Sequence, residues 1–198
     1  MTDMTSPLPT PTAHGQGAAS DWVQRWSHLV QPAGTVLDLA CGHGRHLRWF
    51  AERGHTVTGV DRSADAIQAV SSLGEAVLAD IENGPWPLMQ GEAVRQFDAV
   101  IVTNYLWRPL FERISQSLAP GGILIYETFA LGNETVGKPS RNDFLLQPAE
   151  LLGVFSHLNI IGFEQGFLPN PPRFVQRLVA SCHLESVAAG QNPTQYTL

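Results

Sequence analysis

The stretch VLDLACGHGRH, residues 36–46, decides the fold of this chain. Its first residues are apolar except for Asp38, and the run ends in a turn that contains Gly42 and Gly44. An apolar run bounded by a turn is typical of a central parallel strand, which is buried on both faces of the sheet. Two glycines between a strand and a helix let the backbone and the first amides of the helix approach a ligand. We therefore interpret this stretch as a buried strand, a ligand-binding turn and the start of a helix.

The length and composition indicate one globular domain. The chain has 198 residues, 43% of them hydrophobic, which is enough for one domain with a substantial core and short for two. Residues 1–20 are rich in Pro, Thr, Ser, Ala and Gly and carry neither a basic start nor an apolar segment. We therefore expect a disordered leader there rather than a signal peptide. We expect the folded domain over residues 21–185 and a flexible tail over residues 186–198.

Charge and cysteine content bear on location and partners. The net charge of −6 and the lack of a basic run disfavour binding to a phosphate backbone, so no nucleic acid partner is predicted. No apolar run approaches the roughly 18 residues that span a bilayer, so no membrane association is predicted. Cys41 and Cys182 are too few for a disulfide framework, and a reducing cytoplasm is the predicted location. The sequence does not indicate an oligomeric state.

Signals for strands and helices alternate along the chain. Strands are predicted at residues 35–40, 56–60, 76–79, 97–103 and 123–129, with a late hairpin at 160–167 and 174–183. Helices are predicted at residues 21–31, 44–53, 63–72, 110–118 and 148–157, and irregular segments at 82–91 and 131–147. This alternation indicates a single-domain α/β fold with a mostly parallel sheet.

An acidic residue accompanies each of the first three predicted strands. Asp61 follows the second strand, where a carboxylate can accept hydrogen bonds from both hydroxyls of a ribose. Asp80 follows the third strand, where it can accept a bond from the amino group of adenine while Ile81 packs on the ring. Asp38 lies inside the first strand, and a buried carboxylate there needs a partner such as a cationic amino group. The three acids together favour a nucleoside ligand that carries a positive charge.

A nicotinamide dinucleotide is the alternative ligand for a glycine turn of this kind. Its fingerprint has a third glycine that lets the helix pack on the strand, and the corresponding residue here is Leu47. The acid at Asp38 also suits a cationic ligand better than a diphosphate. A nucleoside with a positively charged amino-acid arm and no phosphate fits the pattern better, and S-adenosylmethionine is such a nucleoside.

The chain resembles the class I S-adenosylmethionine-dependent methyltransferases. VLDLACGHGRH resembles their glycine-rich first motif, VTGVDRS their ribose-binding acid, LADIE their adenine-contacting segment, FDAVIVTNYLW their fourth strand and LAPGGILIYETF their fifth. These motifs occur in the family's order over residues 35–129. The resemblance implies a Rossmann-like, doubly wound sheet of seven strands in the order 3-2-1-4-5-7-6, with the last strand antiparallel. The LACGxGRH form and the short length are similar to small-molecule methyltransferases of the tellurite-resistance and thiopurine type.

The resemblance also implies which residues bind the cofactor, S-adenosylmethionine. Residues of the glycine turn would line the methionine arm, Asp61 would bind the ribose, and Asp80 with Ile81 would contact the adenine. Asn104 and Tyr105, just past the fourth strand, would close over the methionine side. The predicted cofactor-binding residues are Asp38, Ala40, Gly42, His43, Gly44, Asp61, Arg62, Asp80, Ile81, Asn104 and Tyr105.

The predicted reaction is methyl transfer to a small molecule by in-line displacement at the sulfonium. Because the donor is already activated, alignment and exclusion of water can supply much of the catalysis, and no fixed catalytic residue is expected. Candidates for the acceptor side are Trp107, Arg108, Tyr126, Glu127 and Arg141. Since neighbouring residues of a strand face opposite sides, only one of Tyr126 and Glu127 is expected to matter. The insertion at residues 131–147 is either a lid whose Lys138 and Arg141 bind an anion or a solvated loop.

A proline motif and a pair of histidines do not change this interpretation, and two alternative functions stay open. Asn170-Pro171-Pro172 matches a motif of adenine- and glutamine-directed methyltransferases, but it precedes the last strand instead of following the fourth, which indicates a hairpin turn. His43 and His46 lack a third ligand nearby, so no metal site is predicted. The alternative functions are a non-catalytic S-adenosylmethionine-binding protein and an NAD(P)-dependent oxidoreductase.

Overall fold

The computed structural model describes residues 17–183 and 195–198. Residues 1–16 of the predicted leader and residues 186–194 of the predicted tail therefore lie outside the described residues. Within the described part, the chain forms one seven-stranded sheet with helices on both faces. No helix in that part combines the length and the apolar character that crossing a membrane requires.

The sheet follows the predicted strand order. Its strands are β1 (Thr35–Leu39), β2 (Thr56–Asp61), β3 (Glu75–Leu78), β4 (Phe97–Thr103), β5 (Leu118–Phe129), β6 (Asn159–Pro169) and β7 (Pro172–Ser181). They lie in the order 3-2-1-4-5-7-6; the first five are parallel, and β7 is antiparallel to both of its neighbours. The predicted doubly wound α/β fold with an antiparallel last strand is confirmed.

Helices cover both faces of the sheet and bury a core on each. They are α1 (Asp21–Trp26), α2 (Arg45–Ala51), α3 (Ala64–Val70), α4 (Phe111–Gln116) and α5 (Glu150–Val154). Successive side chains of β1 point to opposite faces, so Val36 belongs to the core cluster of α1, α2 and α3, whereas Leu37 belongs to that of α4 and α5. Because both faces of the central strand are buried, its sequence is a nearly continuous apolar run.

One predicted loop contains a hairpin that the sequence analysis did not predict. The short strand Met89–Gln90 lies at the end of the loop predicted at residues 82–91, and it pairs antiparallel with Ala93–Val94 just after that loop. The turn between them contains Gly91, whose φ of 64° lies in the left-handed region that a tight hairpin turn requires. The two short strands pair with each other, and the main sheet keeps its seven strands.

The fifth strand begins earlier than the sequence predicts. The prediction started it at residue 123, but the strand begins at Leu118, which pairs with Phe97 across an irregularity in the register. The segment Pro120-Gly121-Gly122, which lies between the predicted helix and the predicted strand, is therefore part of the strand as a local distortion. The insertion at residues 131–147 has little regular structure, as predicted, and contains the 3-10 turns Asn133–Thr135 and Asn142–Phe144.

The glycine turn after β1 depends on close packing as well as on backbone conformation. Gly44 has a φ of 77°, and a Cβ atom there would lie 2.3 Å from Cγ1 of Val70 on α3. At Gly59 on β2 a Cβ atom would lie 2.5 Å from Cδ1 of Leu47. Leu47 therefore fits at the start of α2, where dinucleotide-binding proteins have a third glycine, because the neighbouring strand has no side chain at the point of contact.

We expect Gly44→Ala to lower the free energy of unfolding by about 1–3 kcal/mol, because alanine is strained at positive φ and its methyl group would overlap Val70. Urea unfolding followed by circular dichroism measures the change. Gly137→Ala is the matched control, since its φ is not in the left-handed region and an added Cβ meets nothing within 4 Å. A loss at Gly44 no larger than the loss at Gly137 would contradict this account of the turn.

Candidate active site

A cavity of about 670 Å³ lies at the carboxyl ends of the parallel strands. Ligands bind at this edge of doubly wound sheets, because the chain leaves neighbouring strands toward opposite faces there. We call it the main cavity. Its walls come from the ends of β1, β2, β4 and β5, the segment after β3 and the insertion: Ala40, Cys41, Gly42, Arg45, His46, Val60, Asp61, Arg62, Ala79, Asp80, Ile81, Glu82, Thr103, Asn104, Tyr105, Leu106, Thr128, Phe129, Lys138, Pro139 and Phe144.

The carboxylate of Asp61 joins the end of β2 to the glycine turn after β1. Its Oδ2 accepts a hydrogen bond from the amide of Gly42 at 2.9 Å, and its Oδ1 accepts one from the amide of Ser63 at 2.8 Å. Each carboxylate oxygen has a second lone pair, so Asp61 can still accept two hydrogen bonds from a ligand. The amide of Gly42 is therefore bound within the protein.

Three turn residues on the wall of the main cavity have left-handed backbone conformations. Ala40 and Gly42 after β1 and Asn104 after β4 have φ values of 54°, 52° and 53°. A positive φ is uncommon for alanine, and such strained residues cluster at ligand sites. The amide of Asn104 donates to the carbonyl of Glu127 on β5 at 2.9 Å, which holds the strained turn against the sheet. The two turns direct the chain away from the strands and leave the cavity between them.

Asp80 lies on the wall of the main cavity and is held there by its own turn. Its Oδ2 accepts a hydrogen bond from the side-chain amide of Asn83 at 3.0 Å, and its Oδ1 accepts bonds from the backbone amides of Glu82 and Asn83 at 3.0 and 3.2 Å. The bond from the Asn83 side chain, followed by the two backbone bonds, holds the pKa of Asp80 below its ordinary value. An ionised carboxylate thus lies beside the apolar Ile81 on the same wall.

Cys41 and Tyr105 also line the main cavity, and both are protonated at neutral pH. Burial is the largest cause that raises the pKa of the Cys41 thiol, and the charge of Asp38 adds to it. Burial likewise raises the pKa of Tyr105, helped by the charge of Glu82. A thiol and a phenol with raised pKa values are poor nucleophiles and poor general bases at neutral pH. Neither Cys41 nor Tyr105 is therefore suited to act as a base in the main cavity.

Asp38 does not line the main cavity, whereas His46, packed beside it, does. Asp38 is 1% exposed. Nε2 of His46 accepts a hydrogen bond from the amide of Ser20 at 3.3 Å, so the ring proton is on Nδ1. Nδ1 lies 3.7 Å from Oδ2 of Asp38 and 3.4 Å from Oγ1 of Thr103. The imidazole thus connects the buried acid of β1 with the start of α1.

Eight of the predicted cofactor-binding residues meet at the main cavity. They are Ala40, Gly42, Asp61, Arg62, Asp80, Ile81, Asn104 and Tyr105. The other three, Asp38, His43 and Gly44, do not line it. Asp38 is buried next to His46, and Gly44 packs against Val70. Contact of any of these residues with a cofactor stays a prediction.

A second cavity of about 470 Å³, mostly polar, adjoins the main cavity. We call it the side cavity. The two cavities share Arg45, Asn104, Phe129 and Lys138, so molecules bound in the two would be neighbours. The other residues of the side cavity come from the start of α1, β5, the insertion, and the turn and strand after β6: Ser20, Asp21, Glu127, Asn133, Asn170, Pro171, Pro172 and Arg173.

On β5, Glu127 lines the side cavity and Tyr126 faces the core. Oε2 of Glu127 forms an ion pair with Nε of Arg177 at 2.6 Å, and Oε1 lies 4.0 Å from Nη2 of Arg173. Tyr126 is 0% exposed, and its hydroxyl donates to the carbonyl of Tyr105 at 3.1 Å. The alternation of side chains along β5 therefore leaves Glu127 as the one of these two candidates that reaches a cavity.

Trp107, Arg108 and Arg141, the other acceptor-side candidates, line neither cavity. Arg108 donates to both carboxylate oxygens of Glu150 at 2.7 and 2.9 Å and to the carbonyl of Asp143 at 2.8 Å, so it fastens the insertion to α5. Arg141 forms an exposed ion pair with Asp143 at 2.9 Å. Trp107 packs against the core on the α4 and α5 face. These side chains have structural partners, which the sequence next to them did not reveal.

The sequence analysis missed Arg45 and Arg173. Arg45 follows the second glycine of the quoted stretch, and Arg173 follows the Asn170-Pro171-Pro172 segment. That segment does form the turn between β6 and β7, as predicted, but it also lines the side cavity. Because β7 is antiparallel, it begins at the edge where the parallel strands end, and Val175 of β7 pairs with the last residue of β5. The antiparallel strand was thus the signal that could have placed Arg173 near the site.

Comparison with known proteins shows a similarity between part of this chain and methyltransferases. Residues 36–122 match the family model of a methyltransferase domain. YqeM of Bacillus subtilis (strain 168) is 32% identical over 124 residues, which cover 56% of this chain and 49% of that protein. A relative from Geobacillus sp. (strain WCH70) is 31% identical over 106 residues, which cover 49% of this chain and 43% of that protein. Both names refer to methyltransferases, and this chain spans about half the length of these curated relatives.

Solved structures show the same fold. TehB from Haemophilus influenzae superposes with a TM-score of 0.65 at 19% identity, over 87% of this chain and 63% of that chain. Further structures of this fold are named S-adenosylmethionine-dependent methyltransferases. Residues 36–122 therefore match a methyltransferase domain, and the fold that the resemblance implied is confirmed.

We expect Glu150→Gln to lower the free energy of unfolding by about 1–2 kcal/mol at neutral pH, because Arg108 would lose the charge of its partner. The loss is smaller than for a fully buried pair, since Arg108 is partly exposed and solvent screens it. Burial opposes the ionisation of Glu150, but the hydrogen bonds from Arg108 and from the amide of Gln147 outweigh it and hold the pKa of Glu150 below its ordinary value of 4.5. The stabilisation is thus fully present above pH 4.5 and is lost as the pH falls through the lower folded pKa.

Urea unfolding of both proteins from about pH 3 to about pH 7 measures this dependence. Asp143→Asn is the control, since its pair with Arg141 is exposed and its loss should change stability by less than about 0.5 kcal/mol. If the wild-type advantage over Glu150→Gln stayed constant down to the lowest pH, the ion pair would not be its source.

Proposed function

We propose that this protein transfers the methyl group of S-adenosylmethionine to a small-molecule acceptor. One arrangement carries the proposal: Asp61, fastened to the glycine turn, lies on the wall of a main cavity that joins a second, polar cavity. Group transfer needs a donor and an acceptor in neighbouring sites, and the two cavities share four wall residues. The methyltransferase domain over residues 36–122 supports the same class of reaction.

The walls of the main cavity fit S-adenosylmethionine. A volume of about 670 Å³ is within the usual range for sites of small organic ligands. The unused lone pairs of Asp61 would accept hydrogen bonds from the two ribose hydroxyls. Ile81 and Leu106 would pack on the adenine ring beside Asp80. Oδ2 of Asp38 is buried without a hydrogen-bond partner in the described part of the chain, and its charge favours a cationic ligand near the wall formed by His46.

S-adenosylmethionine would supply an activated methyl group: a lone pair of the acceptor forms the new bond to carbon, the C–S bonding pair leaves with sulfur, and any proton on the acceptor atom passes to solvent. The chain's contribution is to align the two molecules, which can lower the barrier by about 7–11 kcal/mol. Phe129 and Phe144 form apolar parts of the wall and would exclude water. Cys41 and Tyr105 stay protonated, so neither would act as a general base.

We expect Asp61→Asn to weaken binding of S-adenosylhomocysteine by about 1.5–3 kcal/mol, because an uncharged amide nitrogen replaces one of the two acceptor oxygens. Isothermal titration calorimetry measures the affinity, and thermal unfolding checks that the variant is folded. Asp65→Asn is the matched control, since Asp65 is exposed in the first turn of α3 and lines neither cavity. Unchanged affinity in a folded Asp61→Asn variant would remove the ribose assignment.

Methyl transfer itself is tested with S-adenosylmethionine labelled in the methyl group and a panel of small-molecule acceptors. We expect label in at least one acceptor, and none when Asp61→Asn replaces the wild-type protein at donor concentrations below its weakened affinity. Binding of S-adenosylhomocysteine without transfer to any acceptor would favour a non-catalytic binding protein. Tight binding of NADH together with no binding of S-adenosylhomocysteine would favour an oxidoreductase.

A further inference from the structure

The side cavity is positively charged in an acidic chain. Its wall contains three cationic side chains, those of Arg45, Lys138 and Arg173. It also contains Asp21 and Glu127, but the carboxylate of Glu127 is already engaged by Arg177 at 2.6 Å. The cationic groups therefore exceed the acids that remain to neutralise them, although the net charge of the whole chain is −6.

The cations of the side cavity have few partners within residues 17–183 and 195–198. Arg45 and Lys138 form no side-chain hydrogen bond or ion pair there, and Arg173 has an acid no nearer than Oε1 of Glu127 at 4.0 Å. Burial is the largest cause that lowers the pKa of Arg45, the charges of Glu127 and Asp38 oppose this shift, and the charge of Arg173 adds to it. A bound anion would supply the missing counter-charge. A guanidinium binds carboxylate and phosphate groups with two parallel hydrogen bonds, which makes these groups its best ligands.

A buried amide holds two of these cationic segments together. Asn133 in the insertion is 1% exposed. Its side-chain nitrogen donates to the carbonyl of Pro139 at 2.9 Å, next to Lys138, and its Oδ1 accepts a hydrogen bond from the amide of Phe174 at 3.2 Å, next to Arg173. The insertion and the start of β7 are thus fastened to each other at the wall of the side cavity, so the two charges are brought together by a defined contact.

We propose, on the basis of the function proposed above, that the methyl acceptor carries a carboxylate or phosphate group that Arg173 binds in the side cavity with Arg45 and Lys138. The remainder of the acceptor would extend toward Asn104 and Phe129, where the two cavities meet. The volume of about 470 Å³ is within the usual range for sites of small organic ligands. Arg173 lines only the side cavity, whereas Arg45 lies on the walls of both cavities and would also face the donor.

The test uses three probes built on one ring, namely benzoate, phenyl phosphate and benzamide, titrated into the full chain saturated with S-adenosylhomocysteine. We expect benzoate or phenyl phosphate to bind at least about 10-fold more tightly than benzamide, because a charged partner strengthens hydrogen bonds to a guanidinium. The stronger of the two anions identifies the group as a carboxylate or a phosphate. Equal affinity for all three probes, including no measurable binding of any, would overturn the proposal.

Variants of Arg173 separate a binding role from a structural one. We expect Arg173→Gln to weaken the preferred anion by roughly 10- to 150-fold and to leave binding of benzamide and S-adenosylhomocysteine unchanged. Arg173→Lys keeps the charge and should retain part of the anion preference. Arg113→Gln is the matched control, because Arg113 is exposed on α4 and lines neither cavity. If a folded Arg173→Gln variant kept the full preference for anions, Arg173 would not bind the anionic group and the proposal would be overturned.

The two proposals fail in different ways. Tight S-adenosylhomocysteine binding together with transfer of the labelled methyl group to neutral acceptors, without preference for anions, would overturn the anionic acceptor and retain the methyltransferase. Anion preference that depends on Arg173 in a chain that binds no S-adenosylhomocysteine would retain the anion site and overturn the donor. The titrations with and without S-adenosylhomocysteine distinguish these outcomes.

Discussion

The carboxylate of Asp61 joins the two strand ends from which the whole site is built. Parallel pairing of β1 with β2 places Leu39 opposite Val60, so the residue after Val60 must end beside the turn that follows β1. Asp61 uses that position to bind the amides of Gly42 and Ser63 with separate oxygens. The left-handed turn and the start of α3 are therefore positioned by one side chain. The same side chain retains two acceptor sites for a ligand, so the support of the fold and the binding of a ligand depend on one charge.

Cationic side chains are concentrated around the side cavity. Three of them line it, and the carboxylate of Glu127, one of its two acids, is engaged by Arg177. The main cavity carries acidic and basic side chains in equal number, with Arg45 and Lys138 on the walls of both cavities. The field of the cations around the side cavity would orient an anionic acceptor. Such fixed charges act without reorganisation during the reaction, which is the general advantage of a preorganised site.

The sequence predicted the fold and most wall residues of the main cavity, because both depend on regular local patterns. A continuous apolar run, a glycine turn and an acid after the next strand recur with the spacing that parallel strands require, so Asp61 and Asp80 could be placed at one edge. The wall of the side cavity was predicted poorly, because it joins segments far apart in the chain. Arg108 looked available beside β4, but its partner Glu150 is contributed by α5. Arg173 looked like part of a turn, and only the antiparallel pairing of β7 brings it to the cavity.

The hairpin of β6 and β7 and the insertion can change in sequence without disturbing the contacts of Asp61. The matched methyltransferase domain ends at residue 122, before Glu127, Lys138 and Arg173. The tip of the hairpin and the insertion are attached to the sheet at β5 and β7, on the far side of the sheet from β2 and β3. Changes in their length or composition would leave the bonds of Asp61 intact. Variants of this chain could therefore change the proposed acceptor by remodelling a peripheral segment, while the contacts of Asp61 at the proposed donor site stay the same.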